Sequence, residues 1–238
     1  MRRPQWPKHL ELFSVSLSCL EEFSVLFPES PRTALAVEQG AAVFALSRSG
    51  KAPKSTQGTK VDVSDREALG GRRIRQDRTI DHLVHTVGLR FGSTPGASLD
   101  EALSPAAFEA KLFSAVHAVR LALPHLAPNA SITFTSGQVS RKYGSGSVLK
   151  GALNAAVDAA GRHLAKELAP RRVNVVSPGV VDTSLWGEAG SDARNAFIAR
   201  VSASLPVGRV GQPEELASVA LAPRAVLMDS MASGWSVL

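Results

Sequence analysis

Tyr143 is the single tyrosine of the chain, and Lys150 follows it by seven residues in YGSGSVLKGALNAAV. A phenol hydroxyl can give a proton to a carbonyl oxygen or take one from an alcohol, and a lysine ammonium beside it lowers the phenol's pKa. On a helix that pairing wants an offset of four, which stacks the two side chains about 6 Å apart, whereas an offset of seven separates them by roughly 10 Å. Gly146 stands where the offset of four falls. The Gly144-Ser145-Gly146 stretch can end the helix and fold Tyr143 back over it, or leave it as an ordinary loop tyrosine. Ser136, at the end of the run ITFTS, offers a hydroxyl that could polarise the carbonyl.

Other chemistries find no support. SVLK at 147–150 fits the SxxK of penicillin-binding enzymes, but neither SDN nor KTG occurs in the chain. No GxSxG elbow and no GxxxxGK[ST] loop is present, which sets aside serine-hydrolase and P-loop readings. His82 and His85 lie three apart in an apolar run, and on a strand that offset turns them to opposite faces, so no metal is expected. Cys19 is the only cysteine, which excludes an intrachain disulfide and a thiolate metal site and suits a reducing, cytoplasmic home.

The elements that must position these residues alternate. AAVFALS (41–47), IDHLVHTV (80–87), ASITFTS (130–136) and RVNVVSP (172–178) are short Val- and Ile-containing runs of the kind buried on both faces of a parallel sheet. Between them, 105–126 carries a helical stripe at Phe108, Leu112, Val116 and Val119, and 150–170 carries one at Leu153, Val157, Ala160, Leu164 and Leu168. The order predicts an α/β, Rossmann-like, doubly wound, mainly parallel sheet with helices on both faces. Its ligands sit beyond the carboxyl ends of the strands. The first forty residues do not follow this scheme, and the N-terminal strand and helix read as degraded. The 238 residues read as a single domain, 1–238, with 1–32 an atypical leading segment.

Composition agrees: 44% apolar and 20% charged residues are those of a soluble globular protein. The net charge of +6 is spread along the chain. Its densest patch, GGRRIRQDR with Arg72, Arg73, Arg75 and Arg78, reads as a solvated helix end or a polyanion site. No aromatic residues interleave with it, so nucleic acid is not expected as a partner. Glu11, Glu21 and Glu22 interrupt the apolar residues near the start, and no run reaches the roughly 18 residues of a membrane span.

ITFTSG, KGALNAAVDAAGRHLAKELAPRRVNVVSPGVVDTSLW and LPVGRVGQPEELASVAL resemble, in order and spacing, the second half of a short-chain dehydrogenase/reductase, and the resemblance runs from about Thr33 onward. It implies NADP as cofactor, a small-molecule substrate and a homodimer or homotetramer. Pro178, Gly179, Val181 and Thr183 take the places that close over the nicotinamide. Ser47 and Arg48 end the second strand, where an arginine accommodates the 2′-phosphate of NADP. Asp62 and Val63 take the place of the adenine-contacting pair, although an aspartate after a strand also serves as a helix N-cap. Gly88 is the one match to the Asn-Asn-Ala-Gly strand end. Lys150 takes the place of the lysine that holds the ribose. Lys111, in FEAKLF, stands where the family has a helix asparagine.

The departures are specific. Counting back from Gly40 places the family's glycine-rich phosphate loop near Ser24 to Glu29, which reads SVLFPE, and no glycine precedes Gly40. Gly146 holds the tyrosine place. Strict alignment puts Gly137 in the serine place, with Ser136 one position early. The expected function is NADP(H)-linked interconversion of a carbonyl and an alcohol, with Ser136, Tyr143 and Lys150 as the catalytic set. Trp186 and Phe197 mark a lid for a hydrophobic substrate. The alternative is a catalytically impaired member serving as a binding or oligomerisation module. A third reading takes the first thirty-odd residues as not the native beginning of this fold.

Overall fold

The structure, a computed structural model, describes residues 11–15, 42–50, 57–62, 65–71, 79–220 and 236–237. The segments 24–29 and 72–78, Cys19 and Val63 lie outside them.

Its strands are β1 (Glu11–Val15), β2 (Ala42–Ser47), β3 (Gln57–Lys60), β4 (Ile80–His85), β5 (Leu126–Thr135), β6 (Arg172–Pro178) and β7 (Ser236–Val237). They form one sheet in the order β3-β2-β1-β4-β5-β6-β7, parallel throughout. The four runs read as strands from sequence are present, with β5 beginning earlier, at Leu126. The central strand β1 was not legible as one. It ends at Val15, further upstream of Gly40 than the count back from that glycine implied.

Strand order reverses between β1 and β4, and in sheets of this kind ligands bind outside the carboxyl ends of the strands at such a switch point. In β4, Ile80, His82, Leu83, Val84 and His85 are all buried, so both faces of this strand are covered.

The helices are α1 (Arg66–Gly71), α2 (Leu103–Phe108), α3 (Ser114–Ala122), α4 (Val148–Glu167), α5 (Asp192–Ala203) and α6 (Pro213–Ala220). None of the described helices is long and apolar enough to cross a membrane. A π-helical turn, Glu109–Phe113, joins α2 to α3. It corrects the stripe expected for this segment, because a π turn adds a residue and rotates the downstream face. The buried side chains are Ala107, Ala110, Ser114, Ala115, Ala118, Val119 and Ala122, small groups that let the helix lie close to its neighbours. Val116, expected inside, is 41% exposed, beside Phe113 at 46%.

α4 buries Leu149, Leu153, Asn154, Val157, Asp158 and Gly161, a stripe containing two polar side chains. At Gly161 the helix backbone comes so close to β6 that a Cβ would overlap Cγ2 of Val175. The core is one cluster around Ile80, Leu83, Ile132, Phe134, Val119 and Val157. A smaller cluster of Ala107, Leu149 and Leu153 packs with Phe91, Leu103 and Phe108 beside the site.

Candidate active site

Most of the described candidate residues follow the carboxyl ends of β2, β3, β4, β5 and β6 in the chain. At the first of these, Ser47 is buried, and its carbonyl accepts the N–H groups of Val61 at 2.9 Å and Gly50 at 3.2 Å, tying the ends of β2 and β3 together. Arg48 follows directly after that tie and is half-buried. Asp62 lies just past β3. The cap of α1 is Asp65, three residues beyond Asp62, whose Oδ1 accepts the N–H of Ala68 at 2.9 Å.

At the end of β4 stands Gly88, where an added Cβ would lie 3.8 Å from Cδ of Lys111. The lysine stem therefore crosses this strand end. Its Nζ donates to Asn154 Oδ1 at 2.6 Å and to the Ser136 carbonyl at 3.3 Å. Asn154 in turn donates from Nδ2 to the Lys150 carbonyl at 2.7 Å. The π turn, the end of β5 and the first turns of α4 are thus joined through one amine and one carboxamide. Burial lowers the Lys111 pKa from 10.5 to about 8, partly opposed by the negative charge of Asp158.

Ser136 is buried. Its N–H donates to the Val176 carbonyl at 2.8 Å, and its Oγ is shut off from solvent without a hydrogen-bond partner. Gly137, in the strict serine place, has an extended backbone, and a Cβ there would lie 3.3 Å from Asn154 Oδ1. The Asn154 carboxamide therefore fills the space next to the missing side chain. Beyond it, Ser140 and Arg141 hold Asp158 Oδ2 at 2.8 and 3.3 Å, fastening this turn to α4.

Tyr143 lies in the loop before α4, with 92% of its surface exposed. Gly144 and Ser145 do not continue the helix, and Gly146 has φ +72°, a left-handed conformation. Its carbonyl accepts the Thr94 N–H at 3.0 Å, and a Cβ would come within 3.1 Å of Ser93 Cβ and 3.2 Å of Thr94 N. The loop after β4 thus closes directly over the position where the family's tyrosine would be rooted. Lys150, in the first turn of α4, has its Nζ 5.5 Å from the centre of the Phe91 ring, and burial lowers its pKa.

After β6, Gly211 braces the SPGVVDT turn: it donates to the Val180 carbonyl at 3.1 Å and accepts from Asp182 N at 2.8 Å. Pro178, Gly179, Val181 and Thr183 are half-buried along this turn. The Val181 carbonyl accepts Trp186 Nε1 at 2.8 Å. Thr183 opens the short helical turn Ser184–Trp186 without using its hydroxyl as a cap. Trp186 stacks on Phe197 of α5 at 4.6 Å between ring centres, and Arg194 pairs with Asp182 at 2.5 Å. His82 and His85, both buried, bond to Ser131 and Ser114 respectively. No group of three or more metal-ligating side chains occurs among the described residues.

The residues expected to act together are therefore dispersed: Lys150 is in the first turn of α4 beside Phe91, Tyr143 is in solvent, and Ser136 keeps its hydroxyl buried. Sequence reasoning missed Asn154. The one available signal was a polar residue four positions after Lys150 in an otherwise apolar stripe.

A parallel sheet of this order, with its switch point between β1 and β4 and a lysine at the start of the helix after β5, has the doubly wound α/β architecture of dinucleotide-binding oxidoreductases. The sequence profile of the family described as Enoyl-(Acyl carrier protein) reductase matches residues 33–234. The chain belongs to the short-chain dehydrogenase/reductase superfamily, a family of oxidoreductases. It is 30% identical over 197 residues to the L-fucose dehydrogenase of Mus musculus, covering 69% of this chain and 72% of that one. It is 36% identical over 142 residues to the short-chain dehydrogenase/reductase ATR9 of Stachybotrys chlorohalonatus, covering 58% of this chain and 54% of that relative's length. Among solved structures, a small-chain dehydrogenase in complex with NADPH superposes with a TM-score of 0.74 at 29% identity, covering 89% of this chain and 90% of that one.

Proposed function

We propose that this chain is an NADP(H)-dependent oxidoreductase that interconverts a carbonyl and an alcohol on a small hydrophobic substrate. The observation that carries the cofactor choice is Arg48, half-buried at the carboxyl end of β2, where an acidic residue would instead receive the 2′-hydroxyl of NAD. The similar small-chain dehydrogenase was crystallised with NADPH.

The described residues fit the ribose and nicotinamide ends of the cofactor, whereas no glycine precedes Gly40 to form the family's phosphate loop. Among the described residues the Thr183 hydroxyl makes no hydrogen bond, and the Lys150 ammonium makes no hydrogen bond or ion pair and lies 5.5 Å from the centre of the Phe91 ring. In this reading Arg48 and Ser47 hold the phosphate end, Asp62 and Val63 the adenine, Lys150 the ribose, and Thr183 with Pro178, Gly179 and Val181 the nicotinamide end. NADPH supplies a hydride when bound. The stacked Trp186 and Phe197 form an apolar wall over the substrate. The exposed Phe113, Val116 and Leu123 support a homodimer or homotetramer, and the lone Cys19 supports a cytoplasmic home.

A second reading, cofactor binding without turnover, is favoured by Gly146, whose left-handed backbone lies against Ser93 and Thr94 where an acid would be anchored. Fluorescence titration with NADPH and NADH, followed by assay against aromatic and aliphatic ketones, separates the two. Saturable NADPH binding with ketone reduction supports the first reading. Binding without turnover supports the second. No saturable binding at millimolar cofactor sinks both.

A further inference from the structure

We propose that Lys111 is the proton-exchanging group of this site, held in place by Asn154 and the Ser136 carbonyl. The inference rests on the reductase reading above. Reduction of a carbonyl needs a proton as well as a hydride, and the phenol and hydroxyl expected to manage it are turned away. Tyr143 projects into solvent, and Ser136 Oγ is shut in. Lys111 stands at the ends of β4 and β5, beside Gly88, on a π-helical turn, an irregularity that occurs frequently at functional sites.

Two of the three ammonium N–H groups are committed, one to Asn154 Oδ1 and one to the Ser136 carbonyl. The third has no acceptor among the described residues. When the third proton leaves, the same two acceptors still hold the remaining N–H groups. The lone pair then occupies the direction the proton had, so the charged and neutral forms present their exchangeable position to one side. Asn154 cannot reverse this arrangement freely, because its Nδ2 is bound to the Lys150 carbonyl.

The surroundings let both forms exist near neutral pH. Burial brings the lysine down to about 8. Facing it, α4 contributes Asp158, which opposes that lowering. β4 contributes His85, itself kept neutral by burial and by the Lys111 charge. The Asp158 charge is shared with Arg141 from the turn after β5. An acid matched to the working pH is the most efficient proton donor. In reduction the carbonyl carbon gains the hydride that NADPH supplies, and the oxygen gains the Lys111 proton. Alcohol and NADP+ result, and the neutral amine recovers its proton from water.

The test uses the full chain. Competitive labelling with acetic anhydride across pH, read by mass spectrometry, reports Lys111 ionisation directly and is expected to give a midpoint near 8. Lys111→Met is expected to leave NADPH affinity within about threefold while lowering kcat by roughly 10²–10⁴-fold, the range that general acid–base groups contribute. Lys111→Arg, which keeps the charge but cannot release a proton in this range, is expected to lose as much. Methylamine added to Lys111→Ala is expected to restore turnover in proportion to its concentration, which a purely structural lysine would not allow. A labelling midpoint above 10, or unaltered kcat in Lys111→Met, overturns the proposal. Absence of NADPH binding to the wild type overturns the reductase reading, and this one with it.

Discussion

Asn154 Oδ1 lies 3.3 Å from the point where a Cβ of Gly137 would stand. The relation between these two residues explains why the serine place is empty. That contact is tighter than a side chain ordinarily tolerates, and the carboxamide cannot withdraw without releasing Lys111 or the Lys150 carbonyl. Restoring the family residue by Gly137→Ser is therefore expected to destabilise the fold by about 1–3 kcal/mol, the usual cost of overpacking. In a double-mutant cycle with Asn154→Ala, the cost is expected to shrink by about 0.5 kcal/mol or more. Urea denaturation of the four proteins measures this, and strict additivity would show that the two positions do not meet.

Gly146→Tyr recreates the four-residue spacing to Lys150 and is expected to fail as a repair. The backbone at 146 is left-handed, and Ser93 and Thr94 lie within 3.2 Å of the new Cβ. Strain of this kind costs on the order of 1–3 kcal/mol, so the variant should melt earlier and bring no gain in turnover. Tyr143→Phe, by contrast, removes a hydroxyl that stands in solvent and should leave ketone reduction within about twofold of wild type, far below the loss of a general acid. A large loss would return Tyr143 to the chemistry.

Arg48→Ala is expected to weaken NADPH by about 1.5–3 kcal/mol, the value of a charge-assisted contact, with NADH affinity unchanged within error. Calorimetric titration with both cofactors checks it. Equal losses for the two would remove the 2′-phosphate from Arg48.

Acid should unfold this protein through its buried histidines. Burial lowers His82 from 6.5 to about 4, with the Arg172 charge adding to the effect, and lowers His85 to about 3, with Lys111 adding. Both rings are neutral in the folded chain at pH 5, while the unfolded chain protonates them below 6.5. The unfolded state therefore binds more protons across this window, and stability falls as pH falls. The contribution is intact above pH 6.5. For His82 alone the loss by pH 4 is on the order of 3 kcal/mol. Urea midpoints at pH 7.5 and pH 5 should differ in that direction, and a flat profile would contradict the account.

Much of the fold was legible because its determinants are local. Valine-rich runs such as RVNVVSP declare a strand buried on both faces without reference to anything distant, and 172–178 is a strand in the structure. The helix of 105–126 was legible as a helix, but not as to which residues face inward. Phe108, Leu112 and Val116 outweigh alanines in any apolar pattern, whereas the π turn buries the alanines. β1 was hidden because ELFSV is short and begins on a glutamate. The Lys111–Asn154 pair was hidden for another reason. The two residues are 43 positions apart, and each reads alone as a polar interruption of an apolar stripe.

The π turn of Glu109–Phe113 makes the helix around it two separately indexed segments. An inserted residue advances the face of everything beyond it by about 100°, so α2 can be registered against Leu149 and Leu153 while α3 is registered against the sheet. Lys111 sits at the seam. A one-residue deletion there would leave a good helix but turn the vernier by one notch, presenting either the wrong side chain to Asn154 or the wrong surface to β4.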